Sequence, residues 1–146
     1  MNNIRRAFGK DWVRIAEIEI FNYRLNFYPI FKDDEFYFKE LSVPEKALEY
    51  SEDPEGFFVY DDGAVKGFIK ISGNEVKKLF VEPVLQGNSI GKKLLDFAVF
   101  EKGANFLWAL EKNKKAISFY ERNGFCLSGE RKFEEGTAEY LVKMKR

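Results

Sequence analysis

Two hydrophobic rhythms divide the chain. Up to about residue 50 the apolar positions recur at helical spacing. Ile15, Ile18 and Phe21 stand three apart and predict a helix over about 10–24 with all three on its core face. Asp11 falls in its first turn, where a carboxylate is favoured by the helix dipole. A short strand over 3–7 precedes this helix. Residues 22–39 are aromatic-rich and irregular, with Pro29 as a breaker. Ser42 and Pro44 then open a second helix over about 43–50.

From residue 56 the pattern switches to strands. Residues 56–60 form one, Asp61-Asp62-Gly63 makes a hairpin turn, and 64–72 is the return strand. Gly73-Asn74 turns the chain again into 75–81, completing an antiparallel meander. Residues 90–102 read as a helix with Ile90, Leu94, Phe97 and Ala98 on one side and Gly103 at its end. A buried strand over 106–110 follows. The next helix covers 113–123, with Asn113 near its cap and Gly124 just past its end. Residues 125–133 and 138–145 make a final hairpin. The order β-α-α-β-β-β-α-β-α-β-β predicts a single α/β (α+β) domain over 1–146. Its mixed central sheet has about six to seven strands, flanked by about four helices.

Composition narrows the chemistry. The 146 residues suit one core, and 45% hydrophobic with 33% charged residues excludes a disordered chain. The longest apolar runs are too short to span a bilayer, and the first ten residues hold no apolar leader, so a cytoplasmic location is expected. A net charge of zero argues against a dedicated nucleic-acid binder. The charge is uneven, however. Residues 1–60 carry 8 Lys/Arg and 12 Asp/Glu, residues 61–146 carry 16 and 12, so the C-terminal part is the better host for a polyanion. Histidine is absent, which removes Ser-His and Cys-His pairs and every His-containing metal site. Acid–base chemistry must come from Glu, Asp, Tyr, Lys, cysteine or water. Cys126 is the sole cysteine, so no intramolecular disulfide forms. It follows Phe125 on a strand with no basic partner in sight, and a buried inert thiol is expected.

The informative segment runs from Leu79 to Leu95. A strand ends at Pro83, a polar glycine-containing loop follows, and a helix begins at once. Such a junction exposes backbone N–H groups beside a positive helix dipole and suits a phosphate or diphosphate. Lys92 and Lys93 add charge nearby. Only three residues separate Gly87 from Gly91, so the spacing is not that of a P-loop, and G-x-G-x-x-G is also absent. The stretch Gln86-Gly87-Asn88-Ser89-Ile90-Gly91 resembles the acetyl-CoA signature Gln/Arg-x-x-Gly-x-Gly/Ala of the GNAT superfamily of N-acetyltransferases. Downstream, Asn113, Ala116, Phe119-Tyr120 and Gly124-Phe125 are similar to that family's Asn-x-x-Ala-x-x-Phe-Tyr-x-x-x-Gly-Phe. The likeness covers roughly 56–145 well. Before that it is limited to Arg5-Arg6-Ala7 and a helix of suitable length.

The resemblance implies that acetyl-CoA is the co-substrate, with no metal, and that an acceptor amine attacks the thioester directly while both are bound. Residues 56–146 would form the acetyl-CoA core and C-terminal hairpin, and residues 1–55 mainly the acceptor side. Gln86, Gly87, Asn88, Ser89, Ile90, Gly91 and Lys92 would surround the diphosphate. Backbone groups of Leu79, Phe80 and Val81 would pair with the pantetheine arm, Asn113 would hydrogen-bond it, and the Leu79 N–H would face the oxyanion. Tyr120, two helical turns beyond Asn113, would be the general acid at the cofactor's thiol. Glu75 would be the base, acting through water. Ser89 departs from the pattern, which has glycine there; its Cβ would crowd the phosphates while its hydroxyl, at a helix start, would turn toward them. The acceptor would be a small-molecule or peptide amine, received by the first helices and the aromatic stretch 21–40, where Glu17, Glu19, Asp33, Asp34 and Glu35 would suit a cation. A homodimer through the last strands is compatible with the family. A non-catalytic acyl-CoA-binding or interaction module of the same fold is the alternative.

Overall fold

In the computed structural model, which describes residues 2–146, the alternating segments become strands β1 (Ile4–Arg6), β2 (Phe57–Asp61), β3 (Val65–Ser72), β4 (Glu75–Val81), β5 (Phe106–Leu110), β6 (Cys126–Phe133) and β7 (Tyr140–Lys145). The helical segments become α1 (Asp11–Asn22), α2 (Tyr28–Phe31), α3 (Val43–Glu52), α4 (Ile90–Asp96) and α5 (Lys114–Arg122). The strands join in one seven-stranded sheet of order β1-β2-β3-β4-β5-β7-β6. Every neighbouring pair is antiparallel except β4–β5.

The alternation of strand side chains sorts the apolar residues onto two faces. On one, Phe57, Val59 and Phe68 meet Trp12, Ile15 and Ile18 of α1 and Ala47 and Tyr50 of α3. On the other, Ile69, Val76, Val81 and Leu107 meet Ile90, Leu94 and Leu95 of α4 and Ile117 of α5. Gly67 lets α4 settle on β3. A Cβ there would lie 3.1 Å from the Phe80 carbonyl oxygen, 3.2 Å from Leu94 and 3.3 Å from Ile90. Ser42 caps α3 by accepting from the Glu45 N–H at 3.4 Å.

Two irregularities of β4 shape the functional site. First, Lys70 pairs with Lys78 but Ile71 with Val76, so Lys77 is an extra residue that bulges and twists the strand. Second, β4 pairs with β5 only through Glu75–Phe106 and Val76–Leu107. Beyond Val76 the two parallel strands splay, and the sheet opens into a wedge.

The structure differs from the sequence reading in four places. Phe21 is 60% exposed, whereas Glu19 and Asn22 are buried, so the inner face of α1 is completed by polar side chains. Residues 22–39 are not irregular. They form a π-turn at Tyr23–Phe27, then α2 with Pro29 in its first turn, where no N–H is required, and a second π-turn begins at Phe36. The segment 90–102 is α4 followed by a third π-turn at Phe97–Glu101. Cys126 is exposed, because β6 is the outermost strand. Among the described residues no helix is long and apolar enough to cross a membrane.

Candidate active site

The splay of β4 from β5 leaves a cavity of about 640 Å³ that reaches both faces of the sheet. On the face of α4 and α5 its walls are Leu79, Val81, Ile90, Gly91, Asn113, Phe119 and Tyr120; on the face of α1 they are Asn22, Asn26, Phe27 and Phe80. Gln86, Gly87, Ser89 and Lys92 complete the rim, so eleven of the twelve residues expected to meet the cofactor gather here. Asn88 does not line the cavity; its N–H turns back to the Leu85 carbonyl at 3.2 Å.

The register of β3 and β4 decides which backbone groups face the wedge. The Glu82 N–H donates to the Lys66 carbonyl, and Phe80 lies opposite Phe68 in the next hydrogen-bonded pair. The polar groups of Phe80 are therefore spent on β3. Those of Leu79 and Val81 point the other way, into the gap that β5 has left. Phe80 contributes its ring instead, 5.7 Å from that of Tyr23 and 6.3 Å from that of Phe27.

The loop before α4 supplies donors. Among the described residues, the N–H groups of Gly87, Ser89, Ile90, Gly91 and Lys92 have no protein partner. Five unsatisfied donors around a helix start make an anion seat, and they fit the diphosphate of coenzyme A. Ser89 explains the family's glycine in a way the sequence does not reveal. Its backbone is left-handed, with φ 67° and ψ 5°, and its side chain caps nothing. Gly91 leaves room for the ring of Phe119, which a Cβ would meet at 3.4 Å, an ordinary contact. That matches the glycine-or-alanine tolerance of the pattern.

Asn113 accepts from the Ala116 N–H at 3.2 Å, which caps α5 and leaves the amide's NH2 for a ligand. The Tyr120 hydroxyl hydrogen-bonds no protein group among the described residues, and burial raises its pKa to about 12. It stays protonated at neutral pH. Glu75 stands apart. It lies at the closed end of the wedge, paired with Lys77 at 3.5 Å, and four residues or roughly 13 Å of strand separate it from Leu79.

Sequence reasoning missed Asn22, because a polar residue on the inner stripe of a helix carries no local signature. Its Nδ2 donates to the Ile18 and Val81 carbonyls at 2.8 and 2.9 Å, and its Oδ1 accepts from Asn26 and Gln86 at 3.3 and 3.2 Å. It ties α1 to the end of β4 and to the loop. The acidic residues expected to attract a cation are engaged elsewhere. Glu19 is fully buried, accepts from the hydroxyls of Tyr50 and Tyr23, and pairs with Lys78 at 2.8 Å. Glu17 pairs with Arg14, and Glu35 with Lys39. Asp33 accepts from the Phe36 N–H, and Asp34 from the Tyr28 hydroxyl. No carboxylate lines the cavity among the described residues.

Comparison with known proteins agrees with this geometry. A family model described as an acetyltransferase (GNAT) domain matches residues 53–126. The peptidyl-lysine N-acetyltransferase YjaB of Salmonella typhimurium is 31% identical over 71 residues, 49% of either chain. The chain thus spans about half the length of this curated relative. Among solved structures, apo YjaB from Escherichia coli superposes with a TM-score of 0.74 at 22% identity, over 97% of this chain and 95% of that one. The PaiA N-acetyltransferase from Thermoplasma acidophilum, in complex with coenzyme A, gives 0.64 at 24% over 98% of each. These two likenesses are of fold. With the family match covering half the chain, and with both motifs meeting at the wedge, the protein belongs to the GNAT acetyltransferase family.

Proposed function

We propose that the chain transfers the acetyl group of acetyl-CoA to a primary amine by direct attack, with both substrates bound in the wedge. The observation that carries this reading is the Tyr120 hydroxyl, protonated, without a protein partner among the described residues and set in the wall of a cavity rimmed by unsatisfied N–H donors. A binding module of the same fold has no need of an unsatisfied acid at that point.

Acetyl-CoA supplies an activated acyl thioester; the rest is done by groups of this chain. The loop N–H groups and the start of α4 hold the diphosphate. The backbone N–H and C=O of Leu79 and the N–H of Val81, whose carbonyl is taken by Asn22, face the pantetheine arm, and Asn113 adds a donor. The Leu79 N–H, turned into the wedge, is positioned for the oxyanion that develops at the acyl carbon. Tyr120 gives its proton to the departing thiolate. The amine must shed a proton before it attacks. Glu75 is the proposed destination, reached through water, because its carboxylate stands outside the cavity.

The acceptor enters from the α1 face, between Phe27, Phe80, Asn22 and Asn26. Rings and amides suit an amine carried on an apolar stem. A peptide lysine fits, which is the acceptor named for the relative YjaB. The test is release of free thiol from acetyl-CoA across a panel of peptide and small-molecule amines, repeated with Tyr120→Phe. Turnover should fall ~100-fold or more in the variant with acetyl-CoA affinity unchanged. Thiol release with no amine, or equal turnover in the variant with chemistry rate-limiting, would sink the mechanism.

A further inference from the structure

The cations of the cavity wall are not equivalent. Three line it: Lys92, Lys115 and Arg122. Lys92 is neutralised by Asp96 at 2.9 Å. Lys93, the other lysine of the signature segment, lies over the Tyr60 ring at 5.7 Å and does not line the cavity. Among the described residues Lys115 has one polar contact, donating to the Gln86 Oε1 at 2.9 Å. That partner is a neutral amide. Arg122 has neither an ion pair nor a side-chain hydrogen bond among the described residues. Most other cations of the chain have a carboxylate within 4 Å, for example Arg5, Arg14, Lys66 and Lys78. Two unmatched positive charges are thus held against a cavity with no carboxylate in its wall.

Their placement is regular. Lys115 and Arg122 are seven residues apart on α5, which puts them on one side of the helix with a rise of about 10 Å between them. Lys115 reaches the first residue of the loop that carries the five unsatisfied N–H groups, and Phe119, between the two cations, abuts Gly91 at the start of α4. α5 therefore runs alongside the anion seat and carries a cation at each end of it.

We propose that Lys115 and Arg122 are specificity determinants for the phosphates of the donor nucleotide. Lys115 exchanges the Gln86 amide oxygen for a diphosphate oxygen, and Arg122 takes the 3′-phosphate. The inference rests on acetyl-CoA being the acyl donor. Coenzyme A bears these two anionic groups, and the neutral partner of Lys115 yields to an anion at little cost, since charge-assisted hydrogen bonds are the stronger kind. The positive charge that the sequence assigns to Lys92 and Lys93 is thereby supplied from the next helix.

The experiment titrates wild type, Lys115→Met and Arg122→Met with acetyl-CoA, acetyl-dephospho-CoA and acetyl-pantetheine by calorimetry. Methionine keeps the apolar stem, and both positions are exposed, so melting curves should match wild type. Lys115→Met should weaken acetyl-CoA and acetyl-dephospho-CoA by about tenfold or more and retain acetyl-pantetheine binding. Arg122→Met should weaken acetyl-CoA alone, erasing the preference over the dephospho form. The dependence of affinity on salt should flatten in both. Wild type binding acetyl-CoA, with both variants within twofold on all three probes, overturns the assignment and leaves the donor intact. Wild type binding none of the probes removes the donor reading itself and this inference with it.

Discussion

Replacing Ser89 by glycine should stabilise the folded protein. Ser89 holds φ 67° and ψ 5°, a left-handed conformation in which its Cβ crowds the following carbonyl. That costs an L-residue ~1–2 kcal/mol. Its hydroxyl caps nothing, so glycine gives up no capping hydrogen bond. The opposing effect is the greater freedom of glycine in the unfolded chain, roughly 0.5–1 kcal/mol. With both effects at mid-range the balance is a gain of about 0.75 kcal/mol, which at about 2–4 °C per kcal/mol raises the melting midpoint by about 1.5–3 °C in a chain of this length. Urea unfolding followed by tryptophan fluorescence reads it as a raised midpoint at constant slope. Ser89→Ala keeps the Cβ and the strain, and should gain nothing. Equal stability of the glycine and alanine variants would refute the strain argument. The same pair separates the two effects of serine on the ligand. If alanine weakens acetyl-CoA binding and glycine restores part of it, the hydroxyl helps hold the phosphates. If alanine binds like wild type and glycine binds better, Ser89 is an obstruction.

Removing the Lys78 ammonium strands the Glu19 carboxylate in the core, so Lys78→Met should cost ~3 kcal/mol in urea unfolding. The double variant Glu19→Gln, Lys78→Met should cost less than Lys78→Met alone; a single variant within 1 kcal/mol of wild type would contradict a buried charge pair. Tyr37 and Tyr120 are raised by burial to about 12 from the ordinary 10. The unfolded chain therefore loses these protons first, and stability should fall as pH rises from 10 to 12, by up to ~1.4 kcal/mol per pH unit for each. Tyr120→Phe should make that slope shallower, and an identical slope would remove its contribution. Glu75→Gln should flatten the low-pH limb of the rate profile; an unchanged limb would leave the amine's proton to water alone.

What was legible in the sequence was local. Gly87, Gly91, Asn113 and Tyr120 lie in short motifs whose spacing already fixes a turn or a helix face, and the wedge brings them together. The strand boundaries were legible too, since Gly63 and Gly73 occupy positive-φ turns that glycine adopts freely. Contacts between distant segments were not. Asn22, Asn26 and Phe27 reach the cavity only because α1 packs across β4 and passes into a π-turn. Phe21 has the right spacing for the core, yet the helix turns Glu19 and Asn22 inward, where Lys78 and the Val81 carbonyl satisfy them. The acidic bias of the first 60 residues says nothing of pairing, and among the described residues those carboxylates are engaged outside the cavity wall. The strain at Ser89 is a backbone property; its residue type alone points to a capping role that the backbone does not use.

The central claim is that the wedge between β4 and β5 is the acetyl-CoA site. Backbone amide NMR of uniformly 15N-labelled protein, titrated with acetyl-CoA, tests it at each residue. The amides of Leu79, Val81, Gly87, Ser89, Ile90, Gly91 and Lys92 should shift in a saturable manner, and those of β1 and β6 should stay in place. Saturable shifts that spare this set, or no shift at millimolar ligand with the protein folded, would contradict it.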